Sequence, residues 1–132
     1  MLGSSRIIAL SLGCTLLLLA GQAQCLEAVR PIPGYVCMSL IPEDQLVTVQ
    51  SELPPVLAAP SPTAALVGYP SAIVFVKWPL HEAAGYVEML RLNGQRGWIA
   101  ASHLRPWRPL NNTNAKCVPS FMSDGGLGTS IR

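Results

Sequence analysis

The sequence predicts a small all-β barrel of about five strands, and three observations carry that expectation. The run Ile73-Val74-Phe75-Val76 is β-branched and aromatic, and such side chains fit a pleated, half-buried surface. Two more β-prone runs, Tyr86 to Leu92 and Gln95 to Ala100, are joined by Asn93-Gly94. That pair is preferred in a two-residue type I′ hairpin, where both central residues need positive φ. Helical periodicity is almost absent, while proline and glycine punctuate the chain at short intervals.

The chain has 132 residues, so a single domain is the natural expectation. Residues 1–23 read as a secretory signal peptide: Arg6, then an apolar core ending at Leu16-Leu17-Leu18-Leu19-Ala20, then small residues at Gly21 and Ala23. Cleavage after Ala23 and cleavage after Cys25 both place small residues at the required positions. The apolar run is too short and too interrupted for a comfortable membrane span, so no stable span is expected after cleavage. Residues 24–54 form an extension marked by Pro31, Pro33, Pro42 and Pro54. Within it Tyr35-Val36-Cys37-Met38 suits a short strand, Glu43-Asp44-Gln45 a turn, and Leu46-Val47-Thr48-Val49 a brief β-prone run. Residues 55–107 hold the barrel, with a short 3₁₀ turn at Ser102-His103-Leu104. Residues 108–132, polar and glycine-rich, read as a C-terminal tail.

Composition narrows the function. Hydrophobic residues make up 50% of the chain and charged ones 12%, a skew to which residues 1–23 contribute heavily. Nine basic and seven acidic side chains leave a net charge of +2, and no charge run occurs, so a nucleic-acid partner is unsupported. Of the four cysteines, Cys14 lies in the signal and Cys25 at the cut, leaving Cys37 and Cys117. In an oxidising compartment these two are expected to bond, and closing so long a loop stabilises by ~4 kcal/mol in the chain-entropy account. No CxxC and no paired histidine suggests a metal, and no cofactor motif is present.

The order of features over residues 55–106 resembles the bacterial SH3 domain. The corresponding pieces are Ala59-Pro60-Ser61-Pro62, Leu66-Val67-Gly68, Ile73-Val74-Phe75-Val76, Gly85-Tyr86-Val87-Glu88-Met89, Asn93-Gly94-Gln95-Arg96-Gly97-Trp98-Ile99 and His103-Leu104. The run NGQRGWI is the most specific, and the resemblance spans about two-fifths of the chain. Two departures stand out. The family's N-V-R opening is replaced by Val56-Leu57-Ala58, and its hairpin tryptophan by Tyr86. The resemblance implies an SH3-like barrel and a non-catalytic recognition module, often for peptidoglycan or its peptides.

Expected core residues are Val74, Val76, Val87, Met89, Trp98 and Ile99. Trp98 follows Gly97, which leaves room for an indole; a ligand platform is the alternative role. Trp78, Tyr86 and Trp107 are the candidate ligand-binding aromatics, since aromatics beside arginines can stack on sugars or prolines. They can equally cover the open end of the barrel against the tethered tail. Arg91 and Arg96 flank the hairpin turn, either as a solvated tip or as a carboxylate-binding pair. His81 and His103 are isolated in sequence. Chemistry is poorly served: a Cys/His pair needs a reduced thiol, Ser102-His103 adjacency is no triad, and Gly125-Gly126-Leu127-Gly128 precedes no helix. Asn111-Asn112-Thr113 fits a glycosylation acceptor.

The expected function is therefore a periplasmic or secreted module that binds peptidoglycan or a peptide. The alternative is a structural accessory subunit that docks on a larger envelope enzyme or assembly.

Overall fold

The computed structural model describes residues 16–18, 21–23, 26–40, 53–109, 111 and 114–132. Most of the expected signal peptide, Cys14, Cys25, the turn at 43–45, the run at 46–49 and positions 112–113 of the acceptor motif lie outside the described residues. Leu16–Leu18 (β1) and Gly21–Ala23 (β2) pair antiparallel.

The described chain is all-β. Its strands continue with Ala28–Pro31 (β3), Tyr35–Leu40 (β4), Val56–Leu57 (β5), Leu66–Gly68 (β6), Ile73–Lys77 (β7), Glu82–Ala83 (β8) and Tyr86–Leu90 (β9). Arg96–Ala100 (β10), a 3₁₀ turn at Ala101–His103, Leu104–Pro106 (β11), Cys117–Met122 (β12) and Leu127–Ile131 (β13) complete them. Eight strands form one antiparallel sheet in the order β11-β4-β7-β9-β10-β5-β6, with β8 pairing β9. The order is open, with β11 and β6 at its ends, so the described sheet exceeds the expected five strands. The extra central strand is β4, which the N-terminal extension inserts between β11 and β7.

Residues 108–132 are not a tail. Within them Cys117–Met122 and Leu127–Ile131 form the β12–β13 hairpin, which pairs with β3 as a separate three-stranded sheet. The hairpin turn explains the glycines. Gly125 N–H donates to Met122 O (3.0 Å) and Met122 N–H to Gly126 O (2.9 Å), enclosing a three-residue loop. Gly125 has φ +87°, and Asp124 Oδ1 accepts the Gly126 N–H at 2.8 Å.

The β9–β10 turn repeats this design and corrects the type I′ expectation. Gly94 N–H donates to Arg91 O and Arg91 N–H to Gln95 O, both at 2.8 Å, while Asn93 Oδ1 accepts the Gln95 N–H at 2.9 Å. Only Gly94 takes positive φ, the arrangement of a three-residue loop ending in a left-handed glycine. Two consecutive positive φ values occur instead at Ala84 (51°) and Gly85 (83°), between β8 and β9.

Two apolar clusters share β7. One face carries Val74 and Val76 into a core with Leu40, Val56, Val87, Met89, Ile99 and Leu104. The opposite face carries Phe75 into a second cluster with Ile32 and Cys37, packed against Trp107, Phe121 and Leu127. The expected disulfide joins Cys37 of β4 to Cys117 of β12, with Cα atoms 6.0 Å apart and a sequence separation of 80. It ties the small sheet onto the large one at the centre of the second cluster. Because both faces are covered, β7 reads as a continuous apolar run, not as an alternating one.

Trp98 departs from its expected core position. Strand alternation turns Gly97 and Ile99 inward, leaving Trp98 half-buried on the other face. The space at Gly97 belongs to Val56, with which an added Cβ would collide. Val74, Val76, Val87, Met89 and Ile99 are buried as expected.

Phe75→Ala is expected to cost about 3–5 kcal/mol of unfolding free energy in urea titration, the range for a fully buried phenylalanine. A loss below about 1 kcal/mol would contradict closure of the second cluster.

Candidate functional site

The sequence of β7 and β9 opens a groove where the two strands part. They are paired only at Phe75↔Leu90 and Val76↔Met89. Beyond that point β9 turns into the 91–95 hairpin, and the chain before β7 swings across as Tyr69-Pro70-Ser71. The resulting open groove has a volume of about 270 Å³. Tyr69, Ile73, Leu90 and Leu92 supply apolar or aromatic surface, and Arg91 and Asn93 supply polar groups.

Arg91 is fixed in place. Its Nη1 donates to Val67 O at 3.3 Å and to Gln95 Oε1 at 2.8 Å. The guanidinium lies where a side chain on Gly68 would clash, so glycine there permits the close approach. Arg96 pairs with Leu90 across β9 and β10 and therefore projects from the face of the sheet that carries Leu90. Of the two candidate arginines, Arg91 lines the groove and pins strand β6, while Arg96 is exposed and does not line it.

A second surface occupies the open part of the same face. Glu88 Oε2 lies 3.3 Å from Lys77 Nζ and 3.2 Å from His81 Nδ1. A carboxylate only accepts, so Nδ1 of His81 carries the proton in this contact. The His81 ring meets Trp98 edge-on, with centroids 5.1 Å apart. Backbone pairing sets the arrangement: Glu88 N–H donates to His81 O, and Glu88 lies directly across from Trp98. Burial alone would raise the Glu88 carboxyl. The hydrogen bonds from His81 and Lys77, aided by charge attraction, outweigh burial and hold it below its ordinary value of 4.5. Beside this triad Trp78 and Leu80 are exposed at 55% and 46%.

The aromatic candidates do not form one groove. Trp107 packs into the second cluster beside the disulfide, which favours its covering role over a ligand platform. Trp78 stands in the loop after β7, its backbone N–H donating to Gly34 O at 2.9 Å. Tyr86 is half-buried at the start of β9, paired with Ala100 and Ala83. Sequence reading missed Tyr69, Leu92 and the partners of His81. The first two adjoin the turn signals Gly68-Tyr69-Pro70 and Leu92-Asn93-Gly94. For Glu88 the signal is strand alternation, which turns it away from the core side of Val87 and Met89. Among the described residues no group of three or more His, Cys, Asp or Glu side chains is placed to hold a metal ion.

A depressed carboxyl contributes stability above its unfolded pKa and loses it as pH falls through the folded value. Unfolding free energy should therefore decline as pH drops below about 4.5. Glu88→Gln should flatten that decline by about 0.2–1 kcal/mol, the scale of partly exposed ion pairs. An unchanged acid limb in thermal or urea unfolding would count against the triad.

Compared with protein-family models, curated proteins and solved structures, the chain matches none at a significant level.

Proposed function

We propose that the chain is an exported, non-catalytic SH3-like binding module whose groove takes an extended, carboxylate-bearing peptide such as those of peptidoglycan. The observation that carries this reading is the groove at the β7–β9 parting. It combines an aromatic wall at Tyr69, an apolar lip at Leu92 and an arginine held rigid by two hydrogen bonds. A pre-positioned guanidinium loses little freedom on meeting a carboxylate, and extended peptides suit open grooves beside strands. The ordered motifs from Ala59 to Leu104 support the SH3-like assignment. The meander β7-β9-β10, followed by a 3₁₀ turn and β11, is compatible with it.

Export is supported by the basic, apolar and small-residue order of residues 1–23 and by the Cys37–Cys117 disulfide, a bond favoured in oxidising compartments. Among the described residues no helix is long and apolar enough to cross a membrane. The non-catalytic reading is supported by the cysteine pairing, which leaves neither Cys37 nor Cys117 as a thiolate nucleophile.

A second reading, docking on a larger envelope protein, draws on the exposed Trp78 and Leu80 beside the Lys77–Glu88–His81 triad. Aromatic anchors with a charged rim are common at protein interfaces.

Co-sedimentation with protein-free peptidoglycan sacculi separates the two. Under the groove reading the oxidised chain pellets saturably, Leu92→Asp weakens binding at least about tenfold, and Trp78→Ala leaves it unchanged. Absence of pelleting by a demonstrably folded chain would remove the wall-peptide reading and leave the docking one.

A further inference from the structure

The three-stranded sheet ends in an edge that is built to pair with itself. Strand β13 bonds to β12 on one side, and no described strand lies on the other. The ladder fixes which groups face outward. Lys116 and Arg132 exchange both backbone bonds (2.7 and 2.9 Å), and Met122 N–H donates to Gly126 O. Bonded and non-bonded pairs alternate in an antiparallel ladder, so Gly128 and Ser130 turn their backbone groups towards β12. Leu127, Thr129 and Ile131 turn theirs away. Pro119, which has no N–H to give, sits opposite Thr129 in a non-bonded position, as this phase requires.

Three other described edges, at β3, β11 and β6, carry guards against pairing. Strand β3 ends in Pro31 and carries Arg30 over the Phe121 ring at 4.4 Å. Strand β11 ends in Pro106, and at β6 the Arg91 side chain occupies Val67 O. Proline, charge and short length are the usual means of blunting an edge. Strand β13, Leu-Gly-Thr-Ser-Ile, has no proline and no charge, and Ile131 is 54% exposed.

We infer that β13 pairs antiparallel with β13 of a second copy, about a twofold axis at Thr129, joining the two small sheets into one. The spacing is self-complementary. With Thr129 opposite its own copy, Leu127 falls opposite Ile131, and all three are the residues whose backbone groups point outward. Their side chains share the face that carries Leu127 into the second cluster. Each exposed Ile131 therefore gains an apolar neighbour, the cross-strand contact that stabilises a sheet. Arg132 at one end of each strand comes to lie beside the turn that holds Asp124 of the other copy, so opposite charges meet at both ends. An interface of one strand pair is small, which places the association in the weak class.

Sedimentation equilibrium of the oxidised chain from about 1 µM to 1 mM tests this, the span matching weak affinities. The expected result is a rise to twice the chain mass, weakened at least tenfold by Ile131→Lys and by Thr129→Pro, and unaffected by Leu92→Asp in the groove. Ile131→Lys changes an exposed side chain, and an unchanged thermal midpoint shows that it stays folded. A chain that remains monomeric throughout, or a dimer that Ile131→Lys leaves intact, would overturn the inference.

Discussion

Strand β7 is buried on both faces, and the rest of the molecule is arranged around that requirement. Val74 and Val76 face the first core, while Phe75 points to the opposite face of the sheet and needs a cover there. The N-terminal extension answers half of the need by adding β4 beside β7. The C-terminal segment answers the other half as a hairpin pressed over Phe75. The Cys37–Cys117 bond links these two contributions across 80 residues. A small core gains much from such a staple, because folding a short chain leaves a large share of its surface wet.

This arrangement also decides which surface remains for function. The second sheet covers the Cys37–Phe75 side of the large sheet and stops short of Glu88 and Trp98. Two features are left open on that face: the groove at the parting of β7 and β9, and the triad of Lys77, His81 and Glu88 under Trp98. The arginine of the groove serves both fold and site, since the contact that fixes Arg91 also closes the β6 edge. Polar groups held by backbone and side-chain partners present their remaining donors at little entropic cost, which suits recognition.

Much of the fold was legible because it obeys local rules. Ile73 to Val76 is a strand, the disulfide pairs Cys37 with Cys117, and the turn at Asn93-Gly94 is a hairpin. What local rules missed was set by tertiary partners. The type of the Asn93-Gly94 turn followed from Gln95, whose backbone bonds to Arg91 and Asn93 lengthen the loop to three residues. The C-terminal hairpin carried its own Asp124-Gly125 turn signal, but glycines and polar residues around it resembled a linker in composition. Trp98 looked like core by type, yet the alternation set by Ile99 placed it outside. The site was less legible than the fold. Tyr69 and Leu92 are brought together by strand divergence, and His81 meets Glu88 only because β8 folds back along β9.

The central claim is that the C-terminal hairpin is a folded layer over β7, held by the disulfide. Amide hydrogen exchange on the oxidised and reduced chain tests it most directly. In the oxidised chain the amides of Val74 to Val76 should be the slowest to exchange, and those of β12 that bond to β13 should be protected. Reduction should release β12 and β13 first and then expose the Phe75 side of β7. Exchange of β12 and β13 at the rate of an unstructured peptide in the oxidised chain would contradict the account.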